Sequence, residues 1–211
     1  MPKLKSSKAY DQFEQVILRS HNLVSLHAFL DEKFGAADYA LDFSDLLRAA
    51  VVLSVAAMDA YYTDVFAERL VPFLKKNGAN RRLAKLLESA GLDAKVALEL
   101  LPMKRPYRRI RKLIESHLER HVTQRLEVVD KLFLAYGVGN LCRRAEANLG
   151  RKRLCSGITK LVERRHCIAH EGDLNHHGNL ISLDPTWVRN RLKDVQRFVG
   201  ECDLILRKEL A

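Results

Sequence analysis

Residues 46–61 read LLRAAVVLSVAAMDAY and are apolar on almost every side of a helix as far as Met58. A helix that is apolar all round is packed by several neighbours, so this segment predicts a central helix over about residues 43–74. Asp42 or Ser44 can cap it. The polar and aromatic residues 59–64 indicate that one end of the helix reaches a surface or a groove, or simply emerges into water.

Helical periodicity continues on both sides of this segment. Apolar residues three or four apart form a stripe from Tyr10 to Leu30, which predicts a first helix ending near Phe34 and Gly35. Only five prolines and ten glycines occur, and strand alternation is almost absent. The sequence therefore predicts an all-α fold, with residues 1–211 in one domain and residues 77–125 forming an insertion of short helices.

The C-terminal half predicts three further helices. Two are expected over residues 128–149 and 150–171, and the pair Asp184-Pro185 begins the last one with a cap and a first-turn proline. Between them, residues 176–183 predict an irregular connection with a short strand-like part.

Composition limits the class of protein. Lys and Arg outnumber Asp and Glu by 36 to 26, with a pI near 9.6, which favours a polyanionic partner or serves solubility alone. The longest apolar run, residues 49–58, is too short to span a bilayer, and no signal peptide is visible. We expect a cytoplasmic protein with no membrane partner.

The cysteines give no sign of a structural metal or disulfide framework. No two of them form a Cys-x-x-Cys pair, which argues against a zinc ribbon, a redox motif and a disulfide scaffold. We expect four reduced thiols on helices: Cys142, Cys155, Cys167 and Cys202.

The positive charge is concentrated in the predicted insertion. Residues 101–125 carry eight Lys or Arg against Glu115 and Glu119, and the densest part is KRPYRRIRK at 104–112. Clustered cations with an interleaved tyrosine can hold phosphates while the ring stacks on a base; a solvated helix face is the other interpretation. The predicted RNA-binding residues are Lys104, Arg105, Arg108, Arg109, Arg111 and Lys112.

The segment SGITKLVERRHCIAHEG at 156–172 carries the candidate chemistry. Ser156 can cap a helix there and Gly172 can end it. On a helical wheel Arg165 falls in the middle of an apolar sector formed by Ile158, Leu161, Val162, Ile168 and Ala169. Burying a lone guanidinium costs several kcal/mol, so Arg165 must meet a carboxylate, face a partner subunit or line a groove that holds an anion.

Two histidines accompany this arginine. His166 and His170 are four residues apart and share one flank of the apolar sector. His170 lies in the final turn, where the carbonyl-rich helix end favours its protonated form. A histidine in that position can exchange protons near neutral pH.

Arg165-x4-His170, with a polar residue after the arginine and the long apolar helix upstream, resembles the signature of HEPN domains, in particular the RiboL-PSP-HEPN group. The resemblance covers the central helix and the site helix, but not the basic insertion. It implies an HEPN-like up-and-down helical bundle, with an inserted set of short helices, that dimerises so that the two motif helices face each other across a cleft.

The resemblance also implies an activity. In such proteins RNA is cut without metal or another cofactor, leaving a 2′,3′-cyclic phosphate and a 5′-hydroxyl. The histidine corresponding to His170 handles protons, the arginine corresponding to Arg165 stabilises the phosphorane, and His166 orients the phosphate or the catalytic histidine. The resemblance further implies a toxin or phage-defence setting, with an antitoxin or a neighbouring defence protein as a partner. HEPN toxins that are silenced by a nucleotidyltransferase carry a tyrosine two residues after the histidine. Gly172 occupies that position here, which argues against this form of regulation.

Helix geometry favours a composite site. Arg165 and His170 point about 140° apart on an ideal helix, so one chain can bring them together only if the last turn loosens or Arg165 reaches round. A second subunit that faces the first removes this difficulty.

Two alternatives remain open from the sequence. One is a non-catalytic HEPN-like module that binds RNA, nucleotide or a protein partner, with Arg165 only gripping phosphate. The other is a metal site, because several potential ligands cluster in sequence: His166, Cys167, His170, His176 and His177.

Overall fold

A computed structural model describes residues 6–34, 42–119 and 124–210, which form nine α-helices and no strand. The helices are α1 Lys8–Phe34, α2 Ser44–Asn77, α3 Arg81–Ser89, α4 Ala94–Leu100, α5 Pro106–Leu118, α6 Leu126–Phe133, α7 Leu141–Asn148, α8 Leu154–Glu171 and α9 Pro185–Glu209. The predicted all-α class is confirmed.

Helix α2 is the centre of the fold, as its all-round apolarity predicted. It contacts α1, α5, α8 and α9, and residues such as Val51, Val55 and Val65 are fully buried. At its start, the Asp42 carboxylate accepts a hydrogen bond from the Ser44 backbone N–H at 2.7 Å. The helix runs to Asn77 and includes Pro72, so it is three residues longer than predicted at its C-terminal end.

The same helix is long and apolar enough to cross a membrane by length and composition. The prediction that no segment is long enough considered only the run at 49–58, whereas the regular helix extends well beyond it. More than half of its most apolar window, 56%, is buried inside the protein. A core helix passes the same composition test, and the cytoplasmic location stays a prediction.

A row of aromatic rings links α2 to the C-terminal half. Tyr61 lies 5.0 Å from Tyr62, which lies 6.2 Å from Phe133. Phe133 lies 5.8 Å from Phe66, and Phe66 stacks on Tyr136 at 4.3 Å. The Tyr136 hydroxyl donates to the Phe66 carbonyl at 2.7 Å. Since such ring pairs contribute about 0.5–1.5 kcal/mol each beyond burial, this row fixes α6 and the following turn against α2.

Two predicted helices in the C-terminal half have different boundaries. The helix expected over 128–149 is interrupted, because α6 passes into a 3₁₀ turn, Leu134–Tyr136, and Gly137 takes a left-handed φ of 84° before α7 begins. Helix α8 begins at Leu154 with Arg153 at its N-cap, so neither residue 150 nor the predicted cap Ser156 starts it.

Other boundaries agree with the sequence. Helix α1 ends at Phe34, while Gly35 lies outside the described residues. Short helices occupy the predicted insertion between residues 81 and 118. Asp184 caps α9 by accepting from the backbone N–H groups of Thr186 and Trp187. The connection before α9 holds one isolated antiparallel bridge, Leu174 to Leu180.

Candidate functional site

Helix α8 is anchored at its N-terminal half and exposed toward its C-terminal end. Ile158 and Leu161 are fully buried, where the helix contacts α2 and α9. Gly172 ends the helix, as predicted, with a left-handed φ of 67° and its N–H bonded to the Cys167 carbonyl. In the last turns before Gly172, His166 and His170 are exposed and Arg165 is half-buried.

Arg165 is half-buried and lines an open groove of about 400 Å³ between α2, α5 and α8. Its Nε atom is buried and has no hydrogen-bond partner, and it forms no ion pair with the described parts of the chain. The guanidinium is therefore not locked against an acidic side chain. The other lining residues are Ala56, Asp59, Ala60, Thr63, Asp64, Glu115, Leu118, Glu119 and Gln124.

The groove is acidic. Among the described residues that line it, four carboxylates, those of Asp59, Asp64, Glu115 and Glu119, share the groove with the guanidinium of Arg165; the Glu115 carboxylate is also paired with Arg111. Although the Asp64 side chain keeps contact with solvent, burial against the groove wall and repulsion from Glu115 raise its pKa. An excess of carboxylates repels a polyanion, so within one chain the interior of this groove is a poor phosphate site.

The two histidines lie elsewhere on α8. His166 and His170 are both exposed, and their ring centroids are 4.7 Å apart. Neither lines the groove that holds Arg165. The structure thus brings the imidazoles together on the outer face of the helix and leaves Arg165 on another side, as the helical geometry predicted.

A buried ion-pair cluster beside this site was not predicted from the sequence. The Asp173 carboxylate oxygen Oδ2 accepts from Arg48 Nε of α2 at 2.8 Å and from Arg164 Nη2 of α8 at 2.8 Å. The Asp173 side chain is 1% exposed, and those of Arg48 and Arg164 are 8% and 16% exposed. The sequence did contain a signal for this cluster, because Arg48 is a charged residue inside the apolar run that defines α2.

The predicted RNA-binding residues lie close together in sequence and are all exposed. Lys104 and Arg105 precede α5, and the others lie on its first half; all six side chains are exposed. Arg111 also pairs with Glu115 one turn later, at 2.7 Å. The Lys75 ammonium lies over the Tyr107 ring, 5.3 Å from its centroid.

The candidate metal ligands show no clustering of the required kind. In the described ranges, no three His, Cys, Asp or Glu side chains gather as a metal-binding group. The rings of His176 and His177 are tilted by 46° to each other, with their centroids 3.8 Å apart. The four cysteines are free, and burial raises the pKa of the Cys155 thiol to about 11, which keeps it protonated near neutral pH.

Comparison of the chain with protein-family models, with curated proteins and with solved structures gives no match. Function therefore follows only from the residues and contacts described above.

Proposed function

We propose that this protein is a metal-independent endoribonuclease whose site forms between the C-terminal halves of α8 in two subunits. One observation carries the proposal: the same helix presents two solvent-exposed imidazoles, 4.7 Å apart, and the Arg165 guanidinium, which forms no ion pair with the residues that the structure describes. The resemblance of Arg165-x4-His170 to the HEPN signature, which also implies the bundle topology and the homodimer, points the same way.

These residue types are suited to RNA cleavage by the 2′-hydroxyl. One imidazole removes the 2′-hydroxyl proton as its oxygen attacks the adjacent phosphorus, and a protonated imidazole donates a proton to the leaving 5′-oxygen. The products are a 2′,3′-cyclic phosphate and a 5′-hydroxyl. General acid–base catalysis contributes about 10²–10⁴-fold, and a preorganised donor such as Arg165 adds about 3–4 kcal/mol of stabilisation to the phosphorane.

The acidic groove favours a site between subunits. Because carboxylates crowd the interior of the groove, phosphate is excluded from it and must meet Arg165 at the edge or across a subunit boundary. Facing α8 helices would place the guanidinium of one subunit opposite the exposed His170 of the other. His166, one turn before His170, would then orient the phosphate or the catalytic histidine.

The basic surface formed by Lys104, Arg105, Arg108, Arg109, Arg111 and Lys112 supplies affinity in this proposal. Exposed cations bind the RNA backbone largely by releasing condensed counter-ions, which needs no fixed geometry. The chemistry and the affinity would thus reside on different helices, α8 and α5. The toxin or phage-defence setting, with an antitoxin or neighbouring defence protein as a partner, stays a prediction.

A second function is favoured by the groove itself. If the four carboxylates around Arg165 exclude phosphate in the assembled protein as well, α8 would serve a non-catalytic module that binds RNA through α5 or contacts a protein partner. This alternative predicts RNA binding without strand cleavage.

Cleavage of single-stranded RNA in EDTA separates the two functions. We expect the wild type to produce cyclic-phosphate ends, and His170→Ala and Arg165→Ala to lose activity while keeping oligomeric state and melting temperature. Arg165→Ala should lower kcat far more than RNA affinity, because its role is in the transition state. Lys160→Ala, which removes an exposed cation from the same helix, is the matched control.

Two results would reject the catalytic proposal. Full activity in His170→Ala would remove its proposed acid–base group. A folded, dimeric wild type that binds RNA without cutting it would establish the non-catalytic module instead.

A further inference from the structure

The ion-pair cluster around Asp173 ties three parts of the fold together behind the proposed site. Arg48 belongs to α2, Arg164 to α8, and Asp173 to the chain that follows α8. Both guanidinium groups also donate to the Ile181 carbonyl, each at 2.9 Å. The Ile181 N–H in turn donates to the Asp173 carbonyl at 2.8 Å. This bond joins the beginning of the connection between α8 and α9 to its later part.

In sequence, two members of this cluster flank the residues proposed for chemistry. Arg164 directly precedes Arg165, and Asp173 follows His170 by three residues. The chain reverses at Gly172 and Asp173, whose φ angles of 67° and 58° are both left-handed. The reversal brings the Asp173 carboxylate back against Arg164, while its N–H bonds to the Cys167 carbonyl at 3.2 Å. The last two turns of α8 are thus tied at both ends.

Stability alone is a weak reason for such an arrangement. Burying charged groups carries a desolvation penalty that well-packed apolar residues avoid, so replacement of a buried ion pair by apolar residues is often neutral or stabilising. A left-handed backbone at a residue other than glycine is also unfavourable, although aspartate tolerates it better than most. What the cluster provides is a fixed geometry for the end of α8.

We propose that Asp173 is a positioning residue: through Arg164 and Arg48 it holds the last two turns of α8 in the orientation that presents His170 and Arg165 to RNA. This inference rests on the proposed nuclease function. Asp173 itself touches no reacting atom in it.

Asp173→Asn is the primary variant, because asparagine keeps the shape and tolerates the left-handed backbone while the charge is lost. Two measurements are made on it: kcat and KM for RNA cleavage, and amide hydrogen exchange of residues 166–172, which needs no activity. We expect kcat to fall on the order of 10- to 100-fold, as small misplacements do, with KM little changed and exchange faster. Glu171→Gln removes an exposed carboxylate from the same turn and should change neither.

The double variant Arg164→Gln with Asp173→Asn removes one positive and one negative charge from the cluster. It therefore separates the loss of positioning from the loss of charge balance. It is also the variant to measure if Asp173→Asn alone does not fold. Positioning predicts that kcat stays low in this variant whether or not the melting temperature recovers. Recovery of kcat together with the melting temperature, or wild-type kcat and exchange in Asp173→Asn, would overturn the proposal. Absence of cleavage by the wild type would reject the nuclease function, and the exchange comparison would still decide whether Asp173 orders the end of α8.

Discussion

Replacing Arg164 by alanine tests whether two adjacent arginines have different roles. The variant loses the 2.8 Å bond to Asp173 and the 2.9 Å bond to the Ile181 carbonyl. Breaking a buried ion pair costs about 3–5 kcal/mol, and the lower end applies because Arg48 still binds the same carboxylate oxygen. At about 2–4 °C for each kcal/mol in a protein of this size, a loss of about 3 kcal/mol lowers the melting temperature by about 6–12 °C.

The assay is thermal and urea unfolding followed by far-ultraviolet circular dichroism. Arg165→Ala is the matched control, because it removes the same side chain one position along, where no ion pair is broken. We expect its free energy of unfolding to change by less than about 1 kcal/mol. An equal loss in both variants, or no loss in Arg164→Ala, would refute the division of roles between the two arginines.

Three further predictions concern a turn, a histidine and the basic surface. Arg153 caps α8 with a left-handed φ of 67°, so Arg153→Gly should raise stability by about 1 kcal/mol; a lower melting temperature would contradict this. Burial lowers the pKa of His21 below 6.5, so protonation favours the unfolded state and stability falls as pH drops below that value. His21→Asn should reduce this loss in urea unfolding across a pH series, and parallel pH profiles would count against it. Replacing Arg108, Arg109 and Arg111 by Gln should flatten the salt dependence of RNA binding by about 0.7 in slope per effective charge, whereas an unchanged slope would mean a merely solvated face.

The parts of the fold that the sequence predicted well depend on local interactions. The α2 core follows from apolar residues in every direction around one helix, the pattern of a helix that is packed by several neighbours. The start of α9 follows from Asp184, whose carboxylate meets the free N–H groups within the next three residues. The end of α8 follows from Gly172, the residue type best suited to a left-handed C-cap.

The boundaries that differ from prediction depend on distant contacts. Residues 126–148 keep helical periodicity, yet the chain turns after Tyr136, whose ring stacks on Phe66 and whose hydroxyl binds the Phe66 carbonyl. These contacts join residues 70 positions apart. Arg153 likewise begins α8 from a left-handed conformation, which is uncommon for arginine and was not expected from its side chain.

The same limit applies to the site. A charge in an apolar helix face needs a partner, and that rule singled out Arg165 from the sequence. It applied equally to Arg48, whose partner Asp173 lies 125 residues away and could not be assigned from spacing. Of the two adjacent arginines, Arg164 pairs with the Asp173 carboxylate, whereas Arg165 pairs with no carboxylate in the part of the chain that the structure describes. This division depends on where the chain reverses after α8.

In the proposed nuclease, the charges on α5 constrain where RNA can lie. Its first half carries the cations Arg108 and Arg109, while Glu115 and Glu119 follow toward its end and line the acidic groove. Cations near a helix N-terminus and anions near its C-terminus oppose the helix dipole, so folding of α5 does not favour this order. A bound polyanion does favour it, because the helix N-terminus and the arginines attract the same phosphates. In the proposed nuclease, a strand held there would be repelled from the groove by its carboxylates, which favours contact with the exposed histidines of α8 from outside the groove.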